Sequence, residues 1–152
     1  MFVRLALDTD EDVVVEMARA NIEETRPDME FDRHKAEMSF FRYLDTADPT
    51  IWVVERERNV IAFLMAAMYE YRAAKGFYTI QEVLFVDRDH RGSRAALLLM
   101  REFIAWSKRL GANEIIGGND NNFNSDRTAK FLGHFGFEKV GYSMRLLLDG
   151  RR

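Results

Sequence analysis

Cysteine is missing from this sequence of 152 residues. Disulfides, thiolate metal sites and a catalytic thiol are therefore excluded. Proline is almost as scarce, and no Pro/Gly/Ser-rich linker, low-complexity tract or internal repeat divides the chain. Long apolar runs are also missing: stretches such as residues 60–69 are too short to cross a bilayer as a helix. Neither sign of charge dominates. A formal net charge of -3 offers no global basic field for nucleic acid or an anionic membrane. No His/Asp/Glu group has the spacing of a metal site, so no metal is expected. The opening residues, Met1-Phe2-Val3-Arg4-Leu5, lead straight to acidic positions without the apolar core of a signal peptide. The expectation is a cytoplasmic protein that partners neither nucleic acid nor membrane.

What is present suits one folded domain over residues 1–152. The chain is 47% hydrophobic, enough for a core, and 31% charged, enough to stay in solution. Residues 3–7 read as a short strand. Thr9 and Asp12 resemble a capping box opening a helix to about Glu24, broken by Arg26-Pro27-Asp28. Residues 32–46 read as a second helix. Residues 51–55 and 60–71, joined by a turn at 56–59, read as an antiparallel hairpin. A third strand, 77–86, puts Tyr78, Ile80, Glu82, Leu84 and Val86 on one face by alternation.

After a polar turn, Ala96, Leu99, Phe103, Trp106 and Leu110 recur at helical spacing until Gly111. A short strand at 113–117, an Asn-rich loop at 119–125 and a short helix at 125–134 follow. Gly136 ends that helix, and residues 137–148 read as a final strand or hairpin. The order β, α, α, β, β, β, α, β, α, β predicts an α/β fold, a mixed central sheet with helices on both faces.

The most informative segment is Asp87-Arg88-Asp89-His90-Arg91-Gly92-Ser93-Arg94-Ala95-Ala96, where a strand ends and an amphipathic helix begins. Backbone N–H groups at a helix N-terminus lack internal partners and favour anions. Gly92, Ala95 and Ala96 keep the approach to that backbone clear, and Arg91 and Arg94 can add charge-assisted hydrogen bonds. A phosphate or pyrophosphate is the expected ligand.

Residues 91–96 resemble the pyrophosphate loop of the GNAT superfamily of acyl-CoA N-acyltransferases, Arg/Gln-x-x-Gly-x-Gly/Ala between a strand and a long helix. The Gly136-Phe137 pair after a short helix, and the element order before the loop, extend the resemblance over nearly the whole chain. Two positions depart from the family pattern. Arg94 stands at its central glycine, and Leu132 stands where a tyrosine commonly protonates the departing thiolate.

The resemblance implies acetyl-CoA as co-substrate and a primary amine, on a small molecule or a peptide, as acceptor, with direct acetyl transfer between them. It implies cofactor contacts from Leu84, Phe85 and Val86, from the loop Arg91, Gly92, Ser93, Arg94, Ala95 and Ala96, and from Asn124 or Ser125. Glu82 is the candidate base. The acid role is open among Tyr142, Tyr78 and His134. The acceptor region is expected over residues 20–48 and 69–78, where Glu23, Glu24, Asp28 and Glu30 would favour a cation. A homodimer is an expectation of the same resemblance. Two other readings compete: an acyl-CoA-binding or sensing module without turnover, supported by Leu132, and a nucleotide-phosphate binder, disfavoured because neither a Walker lysine motif nor a dinucleotide-binding glycine fingerprint is present.

Overall fold

In the computed structural model, which describes residues 1–148, the chain forms five strands and four helices. Strand β1 spans Phe2–Leu5, helix α1 Glu11–Thr25 and helix α2 Arg33–Tyr43. Strands β2 (Thr50–Arg56), β3 (Asn59–Glu70) and β4 (Phe77–Val86) follow. Helix α3 (Ala95–Leu110), strand β5 (Glu114–Ile116) and helix α4 (Ser125–Gly133) complete the order. The sheet runs β1-β2-β3-β4-β5, antiparallel throughout except for the parallel β4–β5 pair. The crossover through α3 is what allows that parallel pairing, since parallel neighbours need a connection longer than a hairpin.

Both faces of the sheet are covered. On one, α3 and α4 pack on Trp52, Val54, Ala62, Leu64 and Ala66 through Leu99, Met100, Phe103, Trp106 and Leu132. On the other, α1 and α2 pack on Ile51, Val53, Phe63 and Phe85 through Val14, Met17, Phe40 and Tyr43. This explains why β2 and β3 are apolar at consecutive rather than alternate positions: each face of the central strands meets a helix. The apolar stripe of α3 is that predicted by its spacing. Trp106 sits edge-on to Trp52 with centroids 5.4 Å apart, and Gly111 ends the helix at φ +83°, a conformation that favours glycine. The one polar pair deep under α3, Thr79 Oγ1 and Ser107 Oγ, is satisfied internally at 2.7 Å.

Three sequence expectations change. The start of α1 is not capped by Thr9 and Asp12. A 3-10 turn over Asp8–Asp10 precedes the helix, and the buried Asp10 carboxylate accepts from the Leu7 backbone N–H and from Arg4, a partner across the strand. Helix α2 stops at Tyr43, short of residue 46, because Leu44 and Asp45 leave helical geometry.

The third change is larger. Residues 138–148 form no strand: none of their backbone N–H groups reaches an acceptor among the described residues. Their apolar alternation is real, but a strand also needs an edge in reach, and none of the described residues supplies one along this path.

Candidate functional site

The site is built around a gap in the sheet. Parallel pairing of β4 with β5 is confined to Tyr78–Ile80 against Glu114–Ile116. Beyond Ile80 the two chains part, and the outer edge of residues 81–86 is left without a strand neighbour. A cleft of about 400 Å³ opens there. Its walls come from Gln81, Leu84, Phe85 and Val86 on β4, from Asn21, Glu24 and Thr25 on α1, from Asn119, Asn121, Phe123 and Asn124 in the Asn-rich loop, and from Arg127, Thr128, Phe131 and Leu132 on α4.

At its end the cleft meets the segment 91–96. Gly92 has φ +82°, and a Cβ built on it would meet nothing within 4 Å, so the backbone there is open to a ligand. Among the described residues, the N–H groups of Gly92, Arg94, Ala96 and Leu97 find no acceptor, whereas Ser93 N–H donates to His90 O at 3.2 Å and Ala95 N–H to Ser93 Oγ at 3.3 Å. Free donors, an absent side chain and the positive end of α3 together make an anion cradle. Of the residues singled out from the sequence, Leu84, Phe85, Val86, Arg91, Gly92, Ser93, Ala96 and Asn124 line this cleft. Arg94 is exposed beside it, Ala95 is buried in the core under α3, and Ser125 opens α4 just outside.

Glu24 pairs with two arginines of the segment before α3. It was expected to attract a cationic acceptor. Its carboxylate lies at the 91–96 end of the cleft, with Arg91 Nη2 at 2.7 Å and Arg88 Nε at 2.8 Å. Burial pushes its pKa up, but the hydrogen bonds from Arg91 and Arg88 outweigh that and hold it below the usual carboxylate range. Arg91 also donates to Val86 O at 3.2 Å, so the loop arginine is already occupied by groups of α1 and β4. No local signal in the sequence links positions so far apart. Asp28 is likewise compensated, by Arg26 at 2.8 Å; of these four acids, Glu23 and Glu30 are exposed.

Glu82 faces the other way from Leu84, contrary to unbroken alternation. Met65 pairs with Val83 but Ala66 with Gln81, so Glu82 is the extra residue of a β-bulge. A bulge shifts the phase of everything beyond it. Leu84 and Val86 therefore pack toward α3, while Glu82 turns toward α2. There its carboxylate accepts from the Tyr43 hydroxyl and, at 2.9 Å, from the Tyr69 hydroxyl. Burial and then the bond to Glu82 raise the Tyr43 pKa well above the phenol range, and the bond to Glu82 also raises that of Tyr69. Both phenols are thus donors at neutral pH.

Tyr69 and Tyr78 stack at 6.0 Å and Tyr71 and Tyr78 at 5.4 Å, extending an aromatic surface from this carboxylate. No sequence signal joins Tyr43 and Tyr69 to Glu82, since the bulge is what brings them together. The other acid candidates are not gathered here: Tyr142 is 82% exposed with its ring under Lys139, and His134 is exposed at the end of α4. Leu132 is a buried side chain of the cleft floor.

The family model of the acetyltransferase (GNAT) family matches residues 10–137. Among solved structures, a transcriptional regulator from Bacillus halodurans is 15% identical with a TM-score of 0.80, covering 96% of this chain and 98% of its own. An aminoglycoside 6'-N-acetyltransferase from Acinetobacter haemolyticus is 18% identical with a TM-score of 0.72, covering 97% and 99%. Glucosamine-6-phosphate N-acetyltransferase from Arabidopsis thaliana is 16% identical with a TM-score of 0.71, covering 97% of each chain. Comparison with curated proteins finds no match. At such identities the structural likeness speaks for the fold alone; membership rests on the family match.

Proposed function

Because this chain belongs to the acetyltransferase (GNAT) family, we propose that it transfers an acetyl group from acetyl-CoA directly to a primary amine. The observation that carries this reading is the unpaired edge of β4 running into the open backbone at Gly92. A strand edge offers backbone donors and acceptors to an extended amide-containing chain, and the cradle offers donors to a pyrophosphate at its end. Acetyl-CoA supplies an activated thioester acyl group. Gly92, Ser93, Arg94, Ala95 and Ala96 would hold its phosphates with Arg91. Leu84, Phe85 and Val86 would fix the pantetheine, and Asn124 or Ser125 would close the far wall.

The acceptor side is the α2 face of β4, where Glu82 and the tyrosines lie. An alkyl amine, with a pKa of roughly 10.4, is mostly protonated near neutrality and must lose a proton to attack. Glu82, accepting two phenolic hydrogen bonds, takes that proton through Tyr69 or a water at the exposed side of the pair. The aromatic surface of Tyr69, Tyr71 and Tyr78 would hold the cationic form before transfer. Cofactor and acceptor approach from different sides of one strand, so the bond forms at its edge.

Binding without turnover is the second reading, drawn from Leu132 in place of a hydroxyl-bearing side chain in the cleft. Calorimetric titration with acetyl-CoA, with ATP and NAD as controls, followed by thiol release over a panel of amines, separates the two. The expected result is selective acetyl-CoA binding, lost in Gly92→Val, and amine-dependent thiol release. Selective binding with no release from any amine would favour the second reading. No binding, or equal binding of ATP, would overturn the cofactor assignment.

A further inference from the structure

The cleft holds an amide that the fold leaves unused. Parallel pairing stops at Ile80 against Ile116, so Gln81 is the first residue of β4 past the point where the strands part. Its side chain is half-buried on the cleft wall, and among the described residues no hydrogen bond reaches its amide. None of the buried side-chain polar atoms described lacks a partner, so an unpaired amide here is open to the cleft rather than sealed in the core. It carries two N–H donors.

Gln81 shares the narrow end of the cleft with Leu132. Gly117, just past β5, has no side chain. A Cβ built there would stand 3.5 Å from Gln81 Oε1, 3.6 Å from Leu132 Cδ1 and 3.4 Å from the Phe137 ring. One point is thus in contact distance of three side chains, of which only Gln81 is polar. Glu82, the bulge residue next to it, turns to the opposite side, toward α2. The distance to the cradle fits as well. From Gln81 to Val86 is about 16 Å of strand, and the roughly twelve skeletal bonds of an extended pantetheine arm reach about 14 Å. With phosphates held at residues 91–96, the sulfur falls at the level of Gln81 and Glu82.

We propose that Gln81 is a catalytic residue of acetyl transfer, its side-chain amide donating hydrogen bonds to the sulfur of the departing coenzyme A. This rests on the acetyl-transfer reading. When the amine nitrogen bonds the acyl carbon, the carbon–sulfur bond breaks and its electron pair stays on sulfur. The amine proton goes to Glu82. The amide gives up no proton: it holds the thiolate until the thiolate leaves and is protonated from water. A donor suffices because an alkyl thiol, with a pKa of roughly 8.5 in cysteine, forms its anion readily near neutrality. A fixed donor aimed at developing charge in a half-closed cleft lowers the barrier without reorganising. With this donor in place, Leu132 is compatible with turnover.

Gln81→Met keeps the length of the side chain and removes its donors; Gln81→Glu keeps its shape and puts negative charge there. Gln81→Met should bind acetyl-CoA within about twofold of wild type by calorimetry and lower kcat by about 30-fold, between the loss of one net hydrogen bond and that of an oxyanion donor. Gln81→Glu should be slower still. A second readout needs no turnover. CoA ionises at its thiol and acetyl-CoA does not, while both meet the same Glu24, Arg91 and Arg127. From about pH 7 to pH 9.5, the ratio of CoA to acetyl-CoA affinity should rise about fivefold in the wild type, stay flat in Gln81→Met and fall in Gln81→Glu. Wild-type kcat in Gln81→Met, or a flat ratio in the wild type, overturns the proposal. So does a loss of kcat found in Thr128→Val instead, whose hydroxyl lies on the cleft one turn before Leu132. Failure of the transfer reading shows separately, in a wild type that binds no acetyl-CoA or releases no thiol to any amine, and would remove this proposal with it.

Discussion

Consider Glu24→Gln. The carboxylate stands between two loop arginines, 2.7 Å from Arg91 Nη2 and 2.8 Å from Arg88 Nε. Glutamine keeps its length and one acceptor oxygen but removes the charge. A phosphate oxygen hydrogen-bonded to the opposite side of the Arg91 guanidinium would lie about 7 Å from the carboxylate, given charge-assisted bonds of roughly 2.8 Å on each side. With an effective dielectric of ~40 in a half-open cleft, one unit charge at that distance repels each phosphate charge by roughly 1.2 kcal/mol. That corresponds to about sevenfold in affinity. The variant should therefore bind acetyl-CoA roughly five- to tenfold more tightly, with a steeper loss of affinity as salt is raised.

Calorimetry at two ionic strengths checks this, with the exposed neighbour Glu23→Gln as a control that should change little. Stability should fall by only about 1 kcal/mol, the scale of a charge-assisted bond weakened but not orphaned. If Glu24→Gln binds acetyl-CoA more weakly, the reasoning fails. Glu24 would then orient the arginines for the ligand rather than compete with it.

Three further outcomes are expected. Glu82→Gln should leave acetyl-CoA affinity intact and lower kcat/KM by about 100-fold, the scale of general-base assistance; Tyr43→Phe should retain binding but shift the pH–rate profile, because one of the two hydrogen bonds to that carboxylate is gone. Equal profiles for wild type and Tyr43→Phe would remove Tyr43 from the proton path. Stability should decline on acidification. The Asp10 pKa is lowered despite burial by Arg4 and the Leu7 N–H, so its contribution is complete above the unfolded value near 3.8 and lost as pH falls through the lower folded value. Asp10→Asn should be less stable at neutral pH and should show a shallower decline in melting temperature from about pH 5 to pH 3; parallel curves would show that Asp10 is not linked to unfolding.

Much of the fold was legible because it is written in local periodicity. The stripe of α3, the boundaries of β4 and the Gly111 stop each depend on residues within a turn or two of one another. The anion cradle was legible for the same reason, since a strand, a glycine and a helix start lie in a single segment. Asn124 was placed on the cleft by resemblance; its φ of +51° shows the turn-forming role of the Asn-rich loop.

What the sequence by itself determined, then, is what neighbours along the chain set: the four helices, the central strands, their apolar faces and the open backbone at Gly92. The tertiary structure alone decided three things. It set the direction of Glu82, because a bulge is a mismatch between two strands and leaves no mark on either one. It paired Glu24 with Arg88 and Arg91, because ion pairing follows distance in space and the end of α1 meets the segment before α3. It also left residues 138–148 unpaired. Alternating apolar side chains state that a face is to be buried, but which edge receives it depends on where the preceding helix delivers the chain.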